Sequence, residues 1–376
     1  MAKINFSDRI NGIFTAMNTD YDGINRLMQD VALHKEIFDE ESGRVISRGE
    51  ANAKILDFSR QVLNVDEDML KRNAKQARRN IRDNARQWFD IIEDTVDLTV
   101  TVGLQENEWF NTLVDSRQIG YHDRLDFEKV ENDAFLAVAK AGTSHHDHII
   151  QRLAAGERIS VNTDLYVVKV GADINRYIAG QEDWNKLVDA ISKAFIQEIQ
   201  SQIYAEVSSA ASSLPVTSGF VSSGTLSNAT KVDFDAIIEN VSMANNGADV
   251  VIFGSRSALS KISALADVDW AANGQKESMM NTGNIGIYEG TRLVVMPNRF
   301  KDADMTTTMF PTNKLLILPS IGDEGKFVKF VDEGDTQIVE KNERGEYVSD
   351  LMTYEVQRRF GVATIIGRQF GQWTLS

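Results

Sequence analysis

Apolar residues recur at helical spacing over most of the N-terminal quarter of the chain. They return every three or four residues over 22–40, after Ser47 and again after Asp66, which predicts three successive helices. Ser47 and Glu50 have the spacing of a capping box at the start of the second helix. The third predicted helix runs from Asp66 to Ile92, roughly 25 residues and about 40 Å long.

A fourth amphipathic segment follows Asp183 and stops before Pro215, a residue that cannot continue a helix. It predicts a helix over 183–213, roughly 28 residues and about 42 Å long, and the longest of the chain. A helix of this length with one apolar stripe needs a sheet or another helix beside it. The apolar positions are Trp184, Val188, Ile191, Phe195, Ile199, Ile203 and Val207.

Between the third and fourth helices, apolar and polar residues alternate, which is typical of strands. The alternation begins at residues 98–102. It returns over 134–138, 158–161 and 165–170. We interpret these last three segments as partners within one long hairpin over 121–178 that projects from the main body.

Beyond Pro215 the pattern changes. Residues 216–230 are rich in Ser, Thr and Gly and predict a linker. Helical and strand segments then alternate up to residue 324, which predicts an α/β region, and the tail from Lys326 is almost all strand. The fold class is therefore α+β. The predicted domains are a helical N-terminal arm (1–95), an extended loop region (96–182), a domain built on the long helix (183–230 with 325–376) and the α/β domain (231–324).

The composition of the chain excludes several classes of protein. The chain has 376 residues and no cysteine, which excludes a disulfide scaffold, a Cys-ligated zinc site, an iron–sulfur cluster and a thiol nucleophile. No apolar run approaches the ~18 residues of a membrane-spanning helix. The first residues lack the apolar core of a signal peptide, so we expect a cytoplasm-like compartment for synthesis.

The net charge of −15 is unevenly distributed. Residues 1–90 hold 15 bases and 15 acids, so residues 91–376 carry the whole excess, with 25 bases and 40 acids. Phosphate contacts need Lys and Arg, so this acidic body is unsuited to tight binding of nucleic acid.

One segment of the first 90 residues is strongly basic. Within 71–86 only Asp83 opposes seven bases. Such a stripe suits contact with nucleic acid or with an acidic protein surface. We favour pairing with the acidic body of a neighbouring subunit. The bases are Lys71, Arg72, Lys75, Arg78, Arg79, Arg82 and Arg86.

A histidine cluster lies in the polar tip of the predicted hairpin. His145, His146 and His148, with Asp147, are of the types that bind zinc or nickel. Adjacent residues of an extended tip point in different directions, so one subunit would rarely supply three ligands. An exposed polar turn is the favoured interpretation, and a metal-dependent enzyme using this cluster is the alternative.

Catalytic motifs do not occur in the sequence. There is no G-x-S-x-G elbow and no H-E-x-x-H, and Gly325-Lys326-Phe327 lacks the Ser or Thr and the preceding glycine of a P-loop. The sequence therefore predicts no enzyme, no catalytic residue, no cofactor and no metal site.

The order of the predicted elements resembles the HK97-type major capsid proteins of tailed bacteriophages. In that family an N-terminal arm, an extended loop (E-loop), a spine helix, an axial domain and returning peripheral strands follow one another. Three segments are also similar to this family, and the resemblance covers roughly residues 95–376. The segments are 286–297 (GIYEGTRLVVMP), 314–319 (KLLILP), and 354–364 (YEVQRRFGVAT) with 373–375 (WTL).

The resemblance implies an HK97-like capsid fold with a helical N-terminal arm, an extended hairpin loop, a long spine helix, a peripheral β-sheet and an α/β axial domain. It implies a major capsid protein of the virion, assembled in the host cytoplasm as hexamers and pentamers of an icosahedral shell around double-stranded DNA. The implied partners are the chain itself, possible portal, scaffold or decoration proteins, and packaged DNA through weak non-specific contact, with no membrane. An encapsulin-like nanocompartment shell, which encloses cargo protein, is the alternative.

Two features depart from this family. Some members join their subunits by a Lys–Asn isopeptide bond, and Lys129 and Lys140 lie in the predicted hairpin, but the sequence shows no matching Asn and catalytic acid. We therefore do not assign that chemistry. Residues 1–90 are also longer and more helical than a simple arm.

Overall fold

The computed structural model describes residues 27–28, 30–33, 37, 45–128, 158–172, 184–213, 218–265, 283, 285–300, 304–320, 322, 325–340, 352–365 and 369–376. The chain divides into two compact units. The first unit comprises Met1–Asn107, Thr163–Gln200 and Asp332–Phe360. The second unit comprises Glu108–Asn162, Ser201–Val331 and Gly361–Ser376.

Helices and strands both contribute substantially, so the predicted α+β class is confirmed. The helices are α1 (Arg48–Val62), α2 (Glu67–Arg72), α3 (Ala74–Gln105), α4 (Glu108–Leu113), α5 (Trp184–Ser213), α6 (Lys231–Ala244) and α7 (Arg256–Ile262). The strands are β1 (Val114–Ile119), β2 (Asp126–Glu128), β3 (Arg158–Ser160), β4 (Asp164–Ala172), β5 (Val221–Ser223), β6 (Val250–Gly254), β7 (Ile287–Tyr288), β8 (Thr291–Val295), β9 (Lys314–Pro319), β10 (Val328–Glu340), β11 (Met352–Thr364) and β12 (Gly371–Thr374).

The predicted capping box at the start of α1 is confirmed. The Ser47 side chain accepts a hydrogen bond from the backbone N–H of Glu50, and the Glu50 carboxylate accepts one from the backbone N–H of Ser47. These two bonds satisfy donors that a helix start leaves without partners. The helix then packs on α3, where Phe58 and Trp88 meet edge to face with ring centroids 6.4 Å apart.

The third predicted helix differs from the structure at both ends. Asn73, with φ of −140° and ψ of 55°, separates α2 from α3, and α3 then continues for 32 residues to Gln105. The strand predicted over 98–102 is therefore wrong. Its alternation coincides with a helical spacing, because Val96, Val100 and Leu104 are buried at intervals of four residues. Their burial outweighs the modest helix penalty of β-branched residues.

The predicted helix over 183–213 is confirmed as α5, which has 30 residues. It is not the longest helix of the described residues, because α3 is two residues longer. The apolar stripe is buried as expected, at Val188, Ile191, Phe195, Ile199, Ile203 and Val207.

A four-stranded sheet has the order β1-β10-β11-β4. In the first unit β4 runs antiparallel to β11, from Phe360 opposite Asp164 to Met352 opposite Ala172. Residues 165–170 therefore belong to this sheet and not to the predicted hairpin. The alternation identified the strand correctly, but a local pattern does not specify which distant strand pairs with it.

The base of the hairpin is the antiparallel pair β2 and β3, with Phe127 opposite Ile159. The predicted strand at 134–138, the histidine cluster, Lys129 and Lys140 lie outside the described residues. Whether the intervening segment projects as predicted therefore stays a prediction.

The second unit contains a six-stranded sheet with the order β5-β12-β9-β6-β8-β7. Strand β6 is buried at every position, as expected for a strand covered on both faces. Helix α6 rests on β12 so closely that a Cβ at Gly371 would lie 2.7 Å from Ile237 Cγ2. The helices and strands predicted between 231 and 319 are all present in this unit. Residues 216–230, predicted as a linker, contain the short edge strand β5.

No helix in the described parts of the chain combines the length and apolar character needed to cross a bilayer.

Candidate assembly surfaces and their buried supports

The base of the hairpin is anchored in the second unit by apolar contacts. Phe127 of β2 is buried together with Val161, Val331 and Ile365. The partly buried side chain of Ile119 on β1 packs against this cluster. The segment between β2 and β3 therefore begins and ends at a packed position.

A buried ion pair lies beside this anchor. Lys329 Nζ is 2.9 Å from Asp115 Oδ2, and these side chains are only 2% and 6% exposed. Arg117 also contacts Asp115, with Nη2 3.2 Å from Oδ2. Both cations approach the ring of Phe127, at 5.0 Å for Arg117 Cζ and 5.3 Å for Lys329 Nζ from the ring centroid. Contacts of this kind add about 0.5–2 kcal/mol each when partly desolvated.

A second charge network lies in the first unit around Arg358, whose side chain is 2% exposed. Its guanidinium donates to both carboxylate oxygens of Asp332, and Nη1 donates to Asp97 Oδ1 at 2.8 Å. Thr336 donates to the same Asp97 oxygen at 3.0 Å. Burial raises the pKa of Asp332, and the charge of Arg358 opposes that rise. One arginine thereby joins α3, β10 and β11.

Glu93 lies one turn before Asp97 on α3 and has a perturbed acidity. Burial, together with repulsion from Asp90, Asp94 and Asp335, raises the pKa of Glu93 from 4.5 to about 7. The backbone N–H of Ile338 donates to Glu93 Oε2 at 3.4 Å, which acts in the opposite direction. Near neutral pH this carboxyl group therefore carries only a partial charge.

Strand β4 forms one edge of its sheet and exposes apolar side chains. Leu165 and Val167 are 45% and 44% exposed, and they share one face of the strand with Lys169. Lys169 Nζ lies 3.2 Å from Glu355 Oε1 on β11. Within the described residues no strand pairs with the outer edge of β4. Edge strands with exposed apolar residues are typical sites of contact with another chain.

The basic stripe predicted from the sequence lies on α2 and α3. The opposite side of α3 is apolar, with Ala77, Ile81 and Trp88 buried. Nothing is described of the side chains of Arg78 and Arg82. The other members of the stripe are all exposed, and they are Lys71, Arg72, Lys75, Arg79 and Arg86.

Sequence reasoning did not identify the two buried charge networks. Asp97 and Arg358 are 261 positions apart, and Asp115 and Lys329 are 214 apart. The local sequence gave no signal for these pairs, because acids and bases on helices and strands are usually solvent-exposed. In the described residues no group of His, Asp and Glu has a metal-binding arrangement, and the histidine cluster lies outside them.

Several solved structures are similar to this chain at low sequence identity. The capsid of cyanophage P-SCSP1u is 14% identical with a TM-score of 0.47, over 71% of this chain and 88% of that one. A Helicobacter pylori bacteriophage KHP30 capsid is 10% identical with a TM-score of 0.47, over 72% of this chain and 91% of that one. A virus-like particle from Pyrococcus furiosus is 12% identical with a TM-score of 0.42, over 74% of this chain and 98% of that one. No curated protein sequence matches this chain.

The family assignment rests on the sequence and not on these distant likenesses. The family described as "SPbeta prophage-derived putative capsid protein YonB" matches residues 23–374, which is nearly the whole chain. The match confirms the predicted phage capsid protein, with a structural role in the shell of a virion. The described elements follow the predicted HK97-type order of helices, hairpin base, long helix, α/β region and returning strands. The chain belongs to the YonB family of phage capsid proteins.

Proposed function

We propose that this capsid protein forms the hexamers and pentamers of an icosahedral shell around a double-stranded DNA phage genome, and that it assembles in the host cytoplasm without any catalytic step of its own. The observation that carries the proposal is the exposed apolar edge of β4. Leu165 and Val167 present apolar area at a strand edge that has no partner within the described residues. A second copy is the occupant, because copies of this chain build the shell.

The anchored hairpin base supports the same arrangement. Strands β2 and β3, which flank residues 129–157 in the sequence, pair with each other in the second unit, where Phe127 and Val161 are buried. We propose that this hairpin of one copy overlaps the neighbouring copy and covers its β4 edge. Each subunit then gives one surface and receives another, which is the heterologous contact that closes rings of five or six.

The predicted division of the chain extends this proposal. Residues 1–95 would reach across a capsomer, 183–230 with 325–376 would form the peripheral domain braced by α5, and 231–324 would form the axial domain. Portal, scaffold and decoration proteins are the further partners that such a shell would take.

Val167→Lys tests the proposed contact at the β4 edge. A charge placed at an apolar strand edge blocks pairing with another chain while leaving an exposed position exposed. We expect the expressed variant to remain folded and to give far fewer closed shells by negative-stain microscopy. The control is Gln337→Lys, an exposed strand residue of the same sheet. Normal shell yield for Val167→Lys would contradict the proposal.

The contents of purified shells distinguish a virus from a nanocompartment. Shells assembled with the neighbouring phage genes should contain nucleic acid, measured as the ratio of absorbance at the nucleic-acid and protein maxima. Shells that contain only a cargo protein, in the same preparation, would favour the encapsulin-like alternative.

A further inference from the structure

The exposed bases of α3 form one straight line. Lys75, Arg79 and Arg86 are separated by four and seven residues, so at about 100° per residue they lie within about 40° of one another. They extend over about 17 Å of helix. Arg72, the last residue of α2, is also exposed and directly precedes the break at Asn73. The apolar face of α3 is on the far side and is buried, so this line faces away from the core of its own unit.

Helix stability does not explain these bases, because the first turn of α3 has no acidic residue and Lys75, in that turn, opposes the helix dipole. Among the described residues none of Arg72, Lys75, Arg79 and Arg86 forms an ion pair. Placing Lys75, Arg79 and Arg86 in one line also costs repulsion, which the single neighbouring acid Asp83 offsets only in part. The line is therefore suited to an external anion.

A second copy of the chain would be one source of that anion. In the described parts of the first unit, however, several acids of α3 and β10 have partners in their own chain. Asp97 and Asp332 pair with Arg358, and Glu93 accepts from the backbone of Ile338. The exposed acids of the described second unit are scattered, as at Asp123 and Asp249. The acids that share one face of α3, Asp90, Asp94 and Asp97, are only partly exposed and already interact within their own chain, so they are less suited than a free anion to cover the bases of another copy.

Double-stranded DNA has the matching charge distribution. It carries one negative charge about every 1.7 Å of its axis, so about 17 Å of duplex presents about ten charges. Arginine and lysine together bind phosphates without reading the base sequence, and arginine can donate two parallel bonds to one phosphate. A short helix face lying along a phosphate backbone would give weak, non-specific and salt-sensitive binding.

We propose that the line of Lys75, Arg79 and Arg86 on α3, together with the exposed Arg72 at the end of α2, binds the phosphate backbone of the packaged double-stranded DNA. This inference rests on the proposed function, because it requires a shell that encloses DNA. The rest of the acidic body repels the duplex, so these helices are the part of the subunit that holds it in place.

The test measures DNA binding by the purified full-length chain before assembly. The probe is a fluorescent random-sequence duplex, titrated at several salt concentrations. The triple variant Lys75→Gln, Arg79→Gln and Arg86→Gln removes three charges of the line. The control variant Lys193→Gln, Lys261→Gln and Arg299→Gln removes three exposed charges elsewhere, so both variants change the net charge equally.

We expect the line variant to lower the slope of log affinity against log salt by about 2.7, at about 0.9 for each phosphate that the protein no longer neutralises. The control variant should change that slope by less than about one unit. Equal slopes for the two variants would overturn the inference. So would a line variant that binds DNA normally but forms fewer shells, because the bases would then contact a second copy.

Failure of the inference and failure of the proposed function have different outcomes. Wild-type chain that forms DNA-filled shells, with equal slopes for both variants, contradicts only the DNA contact at this face. Wild-type chain that forms no shell when expressed with its neighbouring genes contradicts the proposed function, whatever the slopes are.

Discussion

Lys329 and Asp115 form a buried ion pair in the second unit, with Nζ 2.9 Å from Oδ2, at the base of the hairpin. Removing water from two charges is costly, and only close geometry and further contacts offset that cost. Here Arg117 provides a second donor to the carboxylate, and the ring of Phe127 lies against both cations. The pair therefore connects β1 and β10 and lies against β2, beside the base of the hairpin.

Replacing one partner of this ion pair should lower the free energy of unfolding more than replacing both partners. Asp115→Ala leaves Lys329 charged and buried, and we expect it to lower the free energy of unfolding by about 3–5 kcal/mol. The double variant Asp115→Leu with Lys329→Met should recover much of that loss, because no buried charge remains. Urea unfolding of the unassembled subunit measures both values. A double variant no more stable than Asp115→Ala would contradict this account.

Arg358 should be the most sensitive charged residue of the first unit. Arg358→Met leaves the carboxylates of Asp332 and Asp97 without their cation, which should cost about 3–5 kcal/mol of the free energy of unfolding. The matched control is Arg359→Met, since the neighbouring side chain is only half-buried, and we expect it to cost less than about 1 kcal/mol. Thermal unfolding of the two variants, compared with the wild type, checks the difference.

Glu93 should make the stability of the first unit depend on pH. The folded state raises the pKa of Glu93 from its ordinary value of 4.5 to about 7, so the folded chain holds the proton more tightly than the unfolded chain. The resulting stabilisation is full below pH 4.5, declines as the pH rises and is absent above pH 7.

Glu93→Gln, which mimics the protonated acid, should therefore be more stable than the wild type at pH 8 and nearly equal to it at pH 4.5. The difference at pH 8 should be about 1 kcal/mol, reduced by the partial exposure of the side chain. Glu106→Gln, which removes one exposed carboxylate directly after α3, is the matched control for the loss of a negative charge. If the free energy of unfolding of Glu93→Gln differs from that of the wild type by the same amount at both pH values, the raised pKa of Glu93 is not the cause of the difference.

Gly361 occupies a position on β11 where any side chain would collide with the backbone. A Cβ there would overlap the carbonyl oxygen of Asn162, which cannot move aside as a flexible side chain could. We expect Gly361→Ala to destabilise the second unit by about 1–3 kcal/mol and to lower the yield of shells. Gly322→Ala provides the comparison, because no atom lies near its added methyl group. Similar melting temperatures for the two variants would contradict the predicted clash.

Some predictions from the sequence were confirmed because they depend on local physics. The capping box at Ser47 and Glu50 needs only its own hydrogen bonds, and α5 needs only one continuous apolar stripe. The strand predicted over 98–102 was wrong because the same residues fit two periodicities, and burial along α3 decided between them. The predicted hairpin wrongly included residues 165–170, because β4 pairs with β11, a strand far away in the sequence.

The chain alone determined where most of its helices lie, which stretch is basic and which class of protein it resembles, because these properties come from neighbouring residues. Only the tertiary structure decided that Arg358 meets Asp97 and that Lys329 meets Asp115. It also decided that the basic side of α3 faces away from the core of its own unit. The physical reason is that a charge is stabilised by whatever the fold brings beside it, and in each of these two pairs the partner is more than 200 positions away along the chain.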